Sequence, residues 1–81
     1  PAFPNPFNPE TTICYGIPTE GNVSVSIFDV NGRLIENLTN GFSVAGNYSI
    51  DWNASAQPSG MYFLKVQFGN EIKSEKIMLV K

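Results

Sequence analysis

The chain of 81 residues contains no histidine and only one cysteine, Cys14. With a single cysteine there is no disulfide framework and no cysteine-rich zinc site. Without histidine, the chain lacks the commonest general base and the commonest metal ligand. The sequence therefore predicts no catalytic residue, no metal site and no cofactor.

Charged residues are also scarce, at 15% of the chain with a formal net charge of −2. The five basic residues are spread along the sequence, so we expect no nucleic-acid partner. No apolar run approaches the roughly 20 residues that span a bilayer, which argues against membrane insertion. No signal peptide opens the chain, so the signal of a secreted parent would lie elsewhere or the chain is a fragment.

Helix signals are nearly absent, whereas strand signals recur along the chain. Seven glycines and six prolines separate short runs rich in β-branched and aromatic residues, which favour strands. This spacing predicts an all-β fold, an immunoglobulin-like antiparallel β-sandwich of about seven strands in a single domain, 1–81. Its parts are a proline-rich lead-in, 1–10, and a sandwich, 11–81. The predicted strands of the sandwich are 11–17, 22–30, 33–39, 47–53, 61–68 and 71–80.

Alternation within these runs predicts which side chains face the core. Ser24 and Ser26 are expected to face outward. The lead-in is expected to be extended or polyproline-like, with Phe3 and Phe7 as anchors. The expected inward residues are Ile13, Tyr15, Ile17, Val23, Val25, Ile27, Tyr48, Ile50 and Trp52.

Two turns and one irregular strand are also predicted. Asn31-Gly32 is the strongest short hairpin signal, with both residues at positive φ, and Gly69-Asn70 resembles a turn that opens with glycine. Leu34, Ile35 and Leu38 do not alternate, so we expect a bulge in their strand or an early exit from it.

The remaining polar and aromatic residues favour structural roles. Asp29 and Asp51 are expected at strand ends, where they would cap turns or pair with Arg33 or a lysine. Cys14 has no activating neighbour and is interpreted as a strand residue. Tyr48 and Trp52 share a strand face that could stack a sugar, although a Tyr-Ile-Trp face is more typical of a core. No calcium loop is present.

The C-terminus, KIMLVK, places four apolar residues between two lysines. One interpretation is a last core strand that ends at a solvated lysine. The other is a terminal strand presented to a receptor, because an edge strand offers unpaired backbone groups for strand addition.

Six motifs in order resemble the type A C-terminal sorting domain of the Bacteroidetes type IX secretion system. The resemblance covers nearly the whole chain. The motifs are Pro4-Asn5-Pro6-Phe7-Asn8-Pro9, the strand start at Thr11, the turn Asp29–Arg33, the strand Gly46–Trp52, the segment Ser59–Phe63 and the terminus Lys76–Lys81.

The resemblance implies a non-catalytic address at the end of an exported protein. An outer-membrane translocon would read it after passage through the periplasm, and a sortase-like peptidase would remove it, leaving the cargo secreted or anchored at the cell surface. The implied recognition residues are Ser59, Gly60, Tyr62, Lys76, Ile77, Met78, Leu79, Val80 and Lys81. The implied structural motif residues are Pro4, Asn5, Pro6, Gly32, Gly46 and Trp52.

Two alternatives remain open at the level of sequence. One is a carbohydrate-binding or spacer module of an extracellular glycoside hydrolase. The other is an assembly domain similar to the immunoglobulin-like domain of flagellar hook-capping proteins, which shares the opening and the Ser-Gly-x-Tyr strand.

Overall fold

The computed structural model describes residues 2–81, and within that range the regular structure consists of seven β-strands without a helix. Pro1, the first residue of the predicted lead-in, lies outside the described residues. The strands are β1 (Ala2–Phe3), β2 (Glu10–Ile17), β3 (Gly21–Phe28), β4 (Leu34–Ser43), β5 (Gly46–Asn53), β6 (Gly60–Phe68) and β7 (Glu71–Leu79).

The strands form two antiparallel sheets that pack face to face as a sandwich. One sheet has the order β1-β2-β5 and the other β4-β3-β6-β7. The second and fifth strands thus lie in one sheet, and the third, sixth and seventh in the other. In an immunoglobulin fold, strands B and E likewise lie in one sheet and strands C, F and G in the other. The predicted fold class is confirmed.

The core follows the predicted alternation closely. Ile13, Ile17, Val23, Val25, Ile27 and Trp52 are all buried, and Tyr15 and Tyr48 pack against them half-buried. Ile50 is only half-buried. Ser26 lies between two core residues on the outward face, as expected, but it is 8% exposed because the Asn37 side-chain amide covers it and donates to its hydroxyl at 2.8 Å.

The lead-in is partly different from the prediction. Ala2 and Phe3 form a short strand with Ile13 and Thr12, so the segment joins the three-stranded sheet. Phe7 is an anchor, at 2% exposed, and it forms an isolated parallel bridge with Leu79. Phe3 is 78% exposed, and its prediction as an anchor is wrong because its side chain falls on the outward face of β1.

The fourth strand contains the predicted irregularity but does not exit early. Its pairing with β3 shifts register between Val25 and Ser26 and again between Ile27 and Phe28. These shifts let both Ile35 and Leu38 pack against the core. The strand then continues to Ser43, four residues beyond the predicted strand 33–39.

The β3–β4 turn corrects the Asn31-Gly32 prediction. Only Gly32 has a positive φ, +81°, because the turn has three residues between Asp29 and Arg33 rather than two. Asp29 accepts hydrogen bonds from the backbone amides of Asn31 and Arg33, each at 2.9 Å, and from Arg33 Nε at 3.0 Å. The predicted capping role of Asp29 is confirmed.

The other turn and the other aspartate have different outcomes. At the β6–β7 turn Gly69 has φ +56°, which confirms a two-residue turn that opens with glycine. Asp51 lies inside β5 and accepts a hydrogen bond from the Thr12 hydroxyl at 2.7 Å. Its expected place at a strand end is therefore wrong, because β5 continues through Trp52 to Asn53.

Replacing Asp29 by asparagine removes the charge and keeps an oxygen that can accept the backbone bonds. Hydrogen bonds from Arg33 hold the pKa of Asp29 below its ordinary value of 3.8, so the ionised form stabilises the folded state above that value. We expect wild type to have the larger free energy of unfolding at neutral pH. The difference should disappear as the pH falls through the lowered pKa. Urea unfolding of both chains across this pH range checks it; a difference independent of pH would contradict it.

Candidate functional site

Three aromatic side chains that are far apart in sequence meet at one end of the sandwich. The ring of Trp52 lies 5.6 Å from that of Phe7 and 5.5 Å from that of Tyr62, measured between centroids. The indole Nε1 donates to Glu36 Oε1 at 3.1 Å, which links the two sheets. This cluster brings the opening motif, the Gly46–Trp52 strand and the Ser59–Phe63 segment into contact.

Burial of Trp52 also decides the role of its strand face. At 1% exposed it is not available to stack a sugar ring. Tyr48, the other aromatic residue of this face, stacks on Tyr15 with ring centroids 5.5 Å apart and packs against the core. Trp52 therefore lies in the core and Tyr48 packs against it, as the core interpretation of this face predicts.

Tyr62 fixes the loop that precedes β6. Its hydroxyl donates to the carbonyl of Pro58 at 2.6 Å, the arrangement known in immunoglobulin-like domains as a tyrosine corner. Burial, and then the charge of Asp29, raise the pKa of Tyr62 above its ordinary value of 10.0. The hydroxyl therefore remains protonated and remains a donor at neutral pH.

The structure brings the two groups of expected recognition residues together, because β6 and β7 are neighbours in one sheet. Tyr62 pairs with Ile77, and Gly60 pairs with Leu79. Their side chains divide into two classes. Tyr62, Ile77 and Leu79 are buried. The exposed members are Ser59, Gly60, Lys76, Met78, Val80 and Lys81.

The outward edge of β7 is partly covered by the lead-in. The Asn5 side chain donates through Nδ2 to the Lys76 carbonyl at 3.0 Å and accepts through Oδ1 from the Met78 amide at 3.0 Å. The Phe7 amide donates to the Met78 carbonyl at 2.9 Å, and the Val80 amide donates to the Phe7 carbonyl at 2.9 Å. We call Asn5–Phe7 the clasp.

The last residue is also held. The backbone amide of Lys81 donates to Ser59 Oγ at 3.2 Å, and its Nζ donates to the carbonyl of Ser55 at 2.8 Å. The loop 54–59 is in turn joined to the lead-in, since the amide of Ala54 donates to the carbonyl of Pro9 at 2.9 Å. The lead-in, this loop and the C-terminal residues thus contact one another.

The other motif residues have identifiable places. The Pro4 carbonyl accepts from the Thr11 hydroxyl at 2.8 Å, and Pro6 lies exposed inside the clasp. Gly32 supplies the positive φ of its turn, and Gly46 opens β5 opposite Ile17.

The clasp is the feature that the sequence did not reveal. One of the two interpretations of the C-terminus requires a terminal strand with unpaired backbone groups, whereas four outward backbone groups of Lys76–Val80 already have partners. The only signal was Asn5 flanked by prolines, and an Asn in that setting more often stabilises a turn.

A group of side chains that could hold a metal ion is not found in residues 2–81. No cluster of three or more histidine, cysteine or carboxylate side chains occurs there. Cys14 is a free, exposed thiol on β2. A membrane-spanning helix is likewise not found among these residues.

Comparison with known families identifies the group to which this chain is related. A family model described as a secretion system C-terminal sorting domain matches residues 1–81. The chain belongs to this family. Sorting domains of this family serve type IX secretion as targeting signals, and an origin in Bacteroidetes and a cell-surface association agree with membership. Neither a curated protein nor a solved structure shows significant similarity to the chain.

Replacing Tyr62 by phenylalanine should destabilise the sorting domain by about 1–2 kcal/mol, because the variant loses one hydrogen bond to a partly buried carbonyl. Tyr48→Phe is the matched control, since its hydroxyl also donates to a carbonyl four residues upstream, that of Val44, at an exposed site. We expect the control to change less. Denaturant unfolding of both variants measures this; equal losses would contradict the role given to burial.

Proposed function

We propose that this chain is a non-catalytic C-terminal domain that directs a covalently attached upstream cargo across the outer membrane. In this proposal the chain acts as a single domain, passes through the periplasm and is read by the type IX translocon. A sortase-like peptidase then removes it, and the cargo remains at the cell surface.

One observation carries the proposal beyond family membership. The motif residues at the end of the chain do not all serve the core, since Met78 and Val80 are 39% and 48% exposed. Single exposed apolar side chains are common on protein surfaces. Here, however, two of them alternate with the buried Ile77 and Leu79 on a strand end flanked by Lys76 and Lys81. This alternation leaves one row of side chains to hold the sandwich and another to contact a translocon.

Deleting residues 77–81 would not test the proposal cleanly. Ile77 and Leu79 are each 1% exposed, so the deletion removes two core side chains along with the recognition surface. Loss of each such side chain costs about 2–5 kcal/mol in typical cores, which is a large share of the stability of a small domain. An export defect would then report unfolding as readily as lost recognition.

Val80→Ser is a sharper test, because the side chain is exposed and its backbone bond to Phe7 is unchanged. Val44→Ser is the matched control, an exposed valine at 59% in the β4–β5 connection at the opposite end of the sandwich. In a type IX host, we expect Val80→Ser to lower secretion of a fused cargo severalfold and Val44→Ser to leave it unchanged. Equal secretion of both variants, with equal unfolding midpoints, would overturn the recognition role.

A further inference from the structure

The terminal strand has an outward backbone edge that only partly lacks a partner. In the described part of the chain, β7 is the last strand of its sheet, and β6 is its one neighbouring strand. Alternate residues of an antiparallel strand point their amide and carbonyl groups away from that neighbour. The clasp contacts such groups on Lys76, Met78 and Val80. No strand of the described residues pairs with the same edge at Ile72 and Ser74.

The clasp is a poor substitute for a full strand. Pro6 within the clasp and Pro4 and Pro9 beside it have no backbone N–H. Residues 4–9 therefore cannot form a continuous ladder of backbone hydrogen bonds with β7. Only Phe7 pairs through its backbone, and Asn5 replaces a neighbouring peptide with its side-chain amide. An uninterrupted extended strand would form the same four hydrogen bonds and continue along Ser74 and Ile72.

The side chain of Phe7 defines what a replacement must carry. It is 2% exposed and packs on Trp52, so its removal would expose a large apolar pocket. Loss of a buried phenylalanine side chain typically costs about 3–5 kcal/mol. A strand that also supplies an aromatic side chain at this point restores the contact, whereas a polar strand does not.

We propose that the clasp is displaceable and covers a strand-addition surface, the outward backbone edge of Lys76–Val80. The partner that fits this surface is an extended strand, parallel to β7, with an aromatic side chain at the position of Phe7. The inference rests on the proposed function only in placing that strand in the secretion machinery. Binding then proceeds by exchange of one strand for another, as in donor-strand complementation.

The first test measures hydrogen exchange of individual amides in Asn5→Ala. The substitution is at an exposed site and removes the acceptor of the Met78 amide, so we expect the Met78 and Val80 amides to exchange roughly tenfold faster. Asn5→Asp is the control, because aspartate can still accept from Met78 but cannot donate to Lys76. It should fall between wild type and Asn5→Ala, and the Val66 amide in β6 should change in neither variant.

Unchanged exchange at Met78 and Val80 in Asn5→Ala would overturn the clasp. Equal acceleration of exchange at the Val66 amide would also overturn the clasp, because the substitution would then destabilise the whole domain.

The second test supplies the strand in trans. The probe is a peptide of residues 4–9, added to the full chain carrying Phe7→Ala, and the control peptide has alanine in place of its phenylalanine. We expect the first peptide to slow exchange at Met78 and Val80 and the control peptide to have no effect. If Phe7→Ala does not fold, Asn5→Ala is the recipient.

Equal behaviour of the two peptides would overturn the aromatic requirement, and no protection by either would overturn the strand-addition surface. Neither experiment uses a secretion host, so failure here leaves the sorting role intact. Conversely, loss of the contrast between Val80→Ser and Val44→Ser would contradict recognition without affecting the clasp.

Discussion

The contact between Phe7 and Trp52 is the interaction on which the rest of this structure depends. It places a residue from the first ten positions against the largest side chain of the core, with ring centroids 5.6 Å apart. Because the same residue bonds through its backbone to Met78 and Val80, it holds the start and the end of the chain together. Each core contact matters more in a small sandwich, since small domains bury a smaller fraction of the surface of the unfolded chain than large domains do.

This contact explains why several motifs that are far apart in the sequence occur together. The opening motif supplies Phe7 and Asn5, the fifth strand supplies Trp52, and the Ser-Gly-x-Tyr segment supplies Tyr62. All of them surround one end of the sandwich. Their order along the chain reflects how this fold brings the β1–β2 connection and the fifth, sixth and seventh strands to the same place. The exposed groups of the terminal strand then lie beside this cluster rather than apart from it.

Sequence reasoning succeeded where a single residue's chemistry decides the outcome. β-Branched residues alternate with small polar ones along β3, so this alternation assigns Val23, Val25 and Ile27 to the core, where all three are buried. Gly69 similarly specifies its turn. The reasoning was wrong for Phe3 and for Asn31. The direction of the Phe3 side chain depends on how its two-residue strand pairs with β2. The turn at Asn31 depends on the hydrogen bond that its backbone amide donates to Asp29.

The clasp could not be predicted, because it contacts residues far away in the sequence. Asn5 alone bonds to Lys76 and Met78, which are 71 and 73 residues away. No local pattern specifies such a pairing. The most direct measurement is therefore the denaturant unfolding of a chain that begins at Pro9. If the lead-in holds the start and the end of the chain together, its removal should lower the free energy of unfolding by at least about 3–5 kcal/mol, the typical cost of one buried phenylalanine. An unfolding midpoint equal to that of the full chain would contradict the account.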